Sequence, residues 1–112
     1  RILKPGTAKG QIIGGCLTLL CRSLKTPWEA QTQGKILLIE DVNEAPYRID
    51  GMLWQLKAAG KFKGIKGVVF GEMVNCQAPK QTDWSLDDVI RDVFSGVSFP
   101  IMERKCGLSL LE

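Results

Sequence analysis

The apolar block from Ile36 to Ile39 constrains the fold of this chain more than any other segment. Its four residues form a continuous hydrophobic run, which is typical of a strand covered on both faces in a parallel sheet. Glu40 and Asp41 follow directly, at the carboxyl end of the predicted strand. Ligands of open α/β sheets bind beyond the carboxyl ends of the strands, and this position therefore favours a functional role for an acid.

Helix capping is the alternative role for the polar residues that follow this strand. Asp and Asn are preferred at helix N-termini, and acids are stabilised by the positive end of the helix dipole. The pattern favours capping of the next helix by Asp41 or Asn43. For Glu40, a functional role and a capping role both stay open.

A crossover helix and a second strand follow. The segment from Pro46 to Ala59 carries an apolar residue at every third or fourth position, and Gly60 is its predicted end. The apolar run from Gly67 to Phe70 predicts the next strand, which ends on Gly71 and Glu72. A strand, a helix and a strand of these lengths form a βαβ unit with parallel, neighbouring strands.

The segment before this unit predicts an arm and a helix. Residues 1–10 are typical of a strand end followed by a loop, and the Gly14-Gly15 pair predicts a tight turn into a helix. That helix contains Cys16 and Cys21, and Thr26-Pro27 ends it.

The segment after the unit predicts a capped helix and a third strand. Ser85 and Asp88 have the spacing of a capping box, and Gly96 closes the helix. Val97 to Met102 predicts a strand that lies at an edge or starts after Pro100. The alternation of helices and strands predicts one α/β domain over residues 1–112, with a mostly parallel sheet flanked by helices.

Composition argues against several classes of function. No apolar run approaches the ~20 residues of a membrane span, and no signal peptide is recognisable. The net charge is +3, and the clustered Lys57, Lys61, Lys63 and Lys66 fit a solvated helix end better than a nucleic-acid surface, because no aromatic residues alternate with them. The four cysteines show no CxxC pair and the chain has no histidine, so no metal site is expected. Reduced thiols and a cytoplasmic location are expected.

Four segments resemble a known family: GTAKGQIIGGCLTLL, GKILLIEDVNEAPYRIDGMLWQLKAAG, GVVFGE and FPI. They are similar to the C-terminal domain of the LD-carboxypeptidases and of the related microcin C self-immunity peptidases. The resemblance extends from Leu3 to about Gly107 and implies a swivelling-domain-like α/β fold.

The resemblance implies a serine peptidase that removes the terminal D-alanine from L,D-linked murein tetrapeptides in cell-wall recycling, without a cofactor. The nucleophilic serine and the oxyanion hole would lie in an N-terminal domain, which is the implied partner. Glu40 would be the acid of a Ser-His-Glu triad, with Glu44 as the second candidate. Gly14, Gly15, Cys16 and Glu44 would contact substrate. Whether the protein forms a homodimer stays open.

The chain departs from the family pattern at several positions. Cys16 stands where the family usually has Asn, and Gly51 where it usually has Arg. Leu108, or Ser109 if the alignment shifts by one, stands where the family has its histidine base. The chain ends at Glu112, before the final strands of the family, and Leu111-Glu112 could be a cloning scar.

Two hypotheses on function follow. In the first, the chain is the C-terminal domain of an LD-carboxypeptidase, inactive alone because it lacks both nucleophile and base. In the second, it is a domain of the same fold that has lost the histidine and binds a peptide or a protein. A cofactor-binding α/β domain is disfavoured, since no phosphate loop or dinucleotide fingerprint is present.

Overall fold

The computed structural model describes residues 1–80 and 84–104. In chain order the elements of this part are β1 (Ile2–Lys4), β2 (Ile12–Cys16), α1 (Leu17–Arg22), β3 (Ile36–Val42), α2 (Pro46–Ala58), β4 (Gly67–Val74), α3 (Leu86–Val93) and β5 (Ile101–Glu103). The strands form a sheet in the order β1-β5-β4-β3-β2. All neighbouring strands are parallel except β1, which pairs antiparallel with β5.

The predicted βαβ unit is confirmed. β3 and β4 are parallel neighbours, with Leu37 opposite Val68 and Ile39 opposite Phe70, and α2 connects them. Gly60 follows the helix with a φ of +79°, a conformation that glycine adopts without strain. The βαβ unit therefore forms the centre of the domain, as the apolar periodicity predicts.

The segment around the glycine pair differs from the prediction. Ile12–Cys16 is a strand that pairs with β3, so Cys16 ends a strand instead of lying in the helix. The following helix α1 is short and stops at Arg22. Two adjacent glycines have low strand propensity, and only the pairing with β3 makes this segment a strand.

Two strands run beyond their predicted ends. β3 includes Glu40 and Asp41 and ends at Val42. β4 continues through Gly71 and Glu72 to Val74, beyond its predicted end. β5 starts after Pro100, one of the two predicted arrangements, and lies between β1 and β4 in the sheet.

The three helices of the described part lie on one face of the sheet. α2 packs between α1 and α3, and their buried residues form one core with Leu37, Ile39, Val68 and Phe70. Ile36 and Leu38 point to the opposite face and are half-buried, in contrast to the expected cover on both sides. We call the side of Ile36 and Leu38 the open face. No helix of the described residues is long and apolar enough to cross a bilayer.

Candidate functional site

Glu40 lies near the carboxyl end of β3, beside the last residue of β2. Its backbone is in register with Cys16. Since side chains alternate along a strand, Glu40 shares the open face with Leu38, whereas Ile39 and Asp41 point toward the helices. Glu40 is half-buried. Within residues 1–80 and 84–104 it accepts no hydrogen bond, so the capping role left open for Glu40 is not observed.

A β-bulge lies opposite Glu40. The register between β3 and β4 shifts here, because Ile39 faces Phe70 while Asp41 already faces Met73. Gly71 and Glu72 therefore oppose the single residue Glu40. The Glu40 Oε2 atom lies 2.8 Å from the position that a Cβ atom would take on Gly71. Bulges of this kind are frequent beside functional sites, where they redirect a side chain.

Asp41 caps a helix, but not the one that the sequence predicts. Its buried carboxylate accepts hydrogen bonds from the Thr18 amide at 2.9 Å, from the Thr18 hydroxyl at 2.7 Å and from the Val42 amide at 2.8 Å. Thr18 lies in the first turn of α1. Asp41 thus fixes the start of α1 to the end of β3, and the prediction that it caps α2 is wrong.

The cap of α2 uses no acid or amide side chain. The residue before the helix is Ala45, and Pro46 occupies the first turn, where its missing N–H is not needed. Asn43 has a φ of +57°, and its side-chain oxygen accepts a hydrogen bond from the Asn75 side chain at 2.8 Å. The expected capping by Asn43 is therefore also wrong, since this residue links the ends of β3 and β4.

Gly14, Gly15 and Cys16 are brought next to Glu40 by the pairing of β2 with β3. Gly14 has a φ of +121°, and a Cβ atom there would overlap the carbonyl oxygen of Leu38. These three residues also line an open cleft of about 570 Å³, with the exposed Trp28 on its rim. The structure thus places Cys16 beside the candidate acid, with Gly15 and Gly14 opposite the two preceding residues of β3.

Glu44 lies in the loop that precedes α2 and faces a different neighbour. Its carboxylate is 4.0 Å from the Arg48 guanidinium, one helical turn away. Because Glu44 has a cationic partner and Glu40 has none among the described residues, the two candidate acids are electrostatically distinct.

A second cleft of the described part lies along the end of β4. Its volume is about 700 Å³, and its lining runs from Gly71 to Val74 and reaches Asp87 and Glu103. Arg1 borders it and pairs with both carboxylates, at 2.7 Å and 2.6 Å. The sequence did not indicate Gly71 as part of the site, because its proximity to Glu40 depends on the bulge.

The cysteines of the described part are free thiols, and the pKa of two of them is raised. Burial, and secondarily the nearby Asp41, raises the pKa of Cys21 to about 11. Burial also raises the pKa of Cys76. Neither thiol is therefore activated as a nucleophile at neutral pH.

Two lysines of the basic cluster at the end of α2 and after it make contacts within the domain. Lys57 donates to the carbonyl of Val93 at 2.8 Å, and Lys61 pairs with Glu29. Over the described ranges, no group of three or more His, Cys, Asp or Glu side chains is arranged to hold a metal ion.

Comparison with known proteins identifies the family. Residues 9–106 match the model of the LD-carboxypeptidase C-terminal domain. The chain belongs to this family. The match covers Glu40, Asp41 and Gly71, so the site described above lies within the family domain.

Individual relatives agree with this assignment. The chain is 42% identical over 101 residues to a protein of Bacillus subtilis named probable murein peptide carboxypeptidase, covering 89% of the chain and 32% of the relative. It is 26% identical to the microcin C7 self-immunity protein of Escherichia coli, over 88% of the chain and 28% of that protein. The crystal structure of a muramoyltetrapeptide carboxypeptidase from Oxalobacter formigenes superposes with a TM-score of 0.78 at 30% identity, covering 89% of the chain and 35% of that structure.

The LD-carboxypeptidase C-terminal domain thus has the α/β architecture that the sequence predicts. The chain spans about a third of the length of the relatives that it matches. The predicted base position, Leu108 or Ser109, lies outside the described residues, as does Leu111-Glu112.

Proposed function

We propose that this domain supplies the acid of a Ser-His-Glu triad to a serine LD-carboxypeptidase. The enzyme would remove the terminal D-alanine from L,D-linked murein tetrapeptides during cell-wall recycling. We use "parent protein" for the longer polypeptide that would join this domain to an N-terminal domain carrying the nucleophilic serine. The muramoyltetrapeptide carboxypeptidase of Oxalobacter formigenes supports the choice of substrate.

The observation that carries the proposal is the position of the Glu40 carboxylate. It lies near the carboxyl end of a central strand, on the open face, and accepts no hydrogen bond from the described residues. A carboxylate satisfied by its own domain has little need of a partner, as Asp41 shows. A half-buried glutamate whose carboxylate has no partner among the described residues is suited to accept a hydrogen bond from a group on another domain.

The chemistry requires such an acid. Serine is a weak nucleophile, and an imidazole base must take its proton during attack on the peptide carbonyl. A carboxylate hydrogen-bonded to the far side of the imidazole fixes its tautomer and stabilises the cation that forms. Glu40 would act in this way, while Gly14, Gly15, Cys16 and Glu44 would contact the peptide.

The alternative is a non-catalytic domain of the same fold that binds a peptide or a protein. The absence of histidine in the chain favours it, because neither Leu108 nor Ser109 is a base of the required kind. In both cases we place the protein in the cytoplasm, because the described cysteines are free, as in a reducing compartment.

Release of D-alanine separates the two functions. The purified chain should release none from an L,D-linked tetrapeptide above a buffer control, because loss of triad members lowers rates by orders of magnitude. The parent protein, assayed unchanged and as Leu108→His, should release D-alanine in at least one form. Release by the chain alone would contradict the predicted inactivity. Tetrapeptide binding by the parent protein, without turnover in either form, would establish the alternative.

A further inference from the structure

We propose that Gly71 is a positioning residue for the Glu40 carboxylate, because its missing side chain provides the space that the carboxylate occupies. This inference rests on the proposed role of Glu40 for its functional part. Its structural part, the contact between the two residues, depends only on the geometry of the bulge.

The first step of the argument is the distance at Gly71. A Cβ atom on this residue would lie 2.8 Å from the Glu40 Oε2 atom and 3.5 Å from the Glu40 Cβ atom. A methyl carbon and a carboxylate oxygen do not approach to 2.8 Å without repulsion. Any larger residue at position 71 therefore forces the carboxylate to another place.

The second step is that backbone conformation gives no other reason for glycine here. The φ of Gly71 lies outside the left-handed region that disfavours other residues, in contrast to Gly14. The remaining close neighbour is the Leu38 Cδ1 atom at 3.4 Å, which is an ordinary van der Waals contact. Glycine is therefore required at position 71 because a larger residue would clash with the Glu40 side chain.

The third step is the expected balance between stability and position. The atom that must move is the end of a flexible side chain, and it can leave by rotating about side-chain bonds. Gly71→Ala should consequently fold with nearly unchanged stability while holding the carboxylate in a different place. A displacement of about 1 Å in a catalytic constellation can lower the rate about 10²-fold.

Gly67 provides a matched control on the same strand and the same face. A Cβ atom there would lie 3.2 Å from the backbone oxygen of Pro100 and 3.4 Å from the Ala8 side chain, with no Glu40 atom among its close neighbours. Backbone cannot move aside as a side-chain end can. Gly67→Ala should therefore lose more stability than Gly71→Ala and leave the Glu40 carboxylate where it is.

Crystal structures and thermal unfolding of the two variants of this chain test the contact. We expect the Glu40 carboxylate to be displaced in Gly71→Ala and not in Gly67→Ala, with the lower melting temperature in Gly67→Ala. A carboxylate that keeps its place in Gly71→Ala would overturn the inference, whatever the outcome of the activity assays.

Turnover tests the functional part in the form of the parent protein that releases D-alanine. Gly71→Ala should lower kcat about 10²-fold with little change in KM, since an orienting group acts mainly in the transition state. If kcat is unchanged while Glu40→Gln abolishes turnover, Gly71 has no positioning role. If Glu40→Gln itself is active, the proposed function fails. The position of the Glu40 carboxylate in the Gly71→Ala crystal structure still tests whether Gly71 makes space for it.

Discussion

Two neighbouring carboxylates, Glu40 and Asp41, have opposite environments because a strand alternates its side chains between two faces. Asp41 points toward the helices and is buried, with hydrogen bonds from Thr18 and from its own neighbour Val42. Glu40 points to the open face and accepts no such bond from the described residues. The same local sequence therefore supplies one structural acid and one candidate functional acid.

Removal of the Asp41 carboxylate should destabilise the domain. Asp41→Ala leaves the Thr18 amide and hydroxyl without their acceptor and removes the hydrogen bonds that link α1 to β3. The free energy of unfolding should fall by about 2 to 3 kcal/mol. The free energy of unfolding in urea measures this loss. Asp92→Ala, at an exposed helical position, is the control and should change stability by less than about 0.5 kcal/mol. An equal effect of the two substitutions would contradict the structural role of Asp41.

At the scale of elements, strong periodicity and capping signals predict the structure well. α2 and α3 lie where their apolar faces place them, and the predicted capping box is present, with Ser85 accepting from the Asp88 amide and the Asp88 carboxylate accepting from the Ser85 amide. β2 was not predictable, since its glycines favour a turn locally and only β3 makes the segment a strand.

The capping box should contribute measurably to stability. Ser85→Ala removes the acceptor of the Asp88 amide and should cost about 1 kcal/mol of unfolding free energy. Ser95→Ala, at an exposed position after the helix, should be close to neutral. Urea unfolding of both variants measures the two changes in unfolding free energy. An unchanged stability in Ser85→Ala would contradict the expectation that the capping box stabilises α3.

At the scale of the whole molecule, the site depends on how strands meet at one edge of the sheet. The position of Glu40 near a strand end was predictable from an apolar run that stops at an acid, and the role proposed for it comes from the family resemblance. The proximity of Cys16 and the bulge at Gly71 were not predictable, because each depends on pairing with a strand distant in sequence. The helices of residues 1–80 and 84–104 cover one face only, and Glu40 lies on the other, where another domain could meet it.

The turnover number of Glu40→Gln tests the central claim most directly. In the form of the parent protein that releases D-alanine, loss of the orienting carboxylate should lower kcat about 10⁴-fold, by analogy with other serine triads. Glu44→Gln is the matched comparison, because Glu44 has its own partner in Arg48, and its effect should be much smaller and appear mainly in KM. A kcat for Glu40→Gln within tenfold of the unsubstituted protein, or a 10⁴-fold loss in Glu44→Gln instead, would contradict the account.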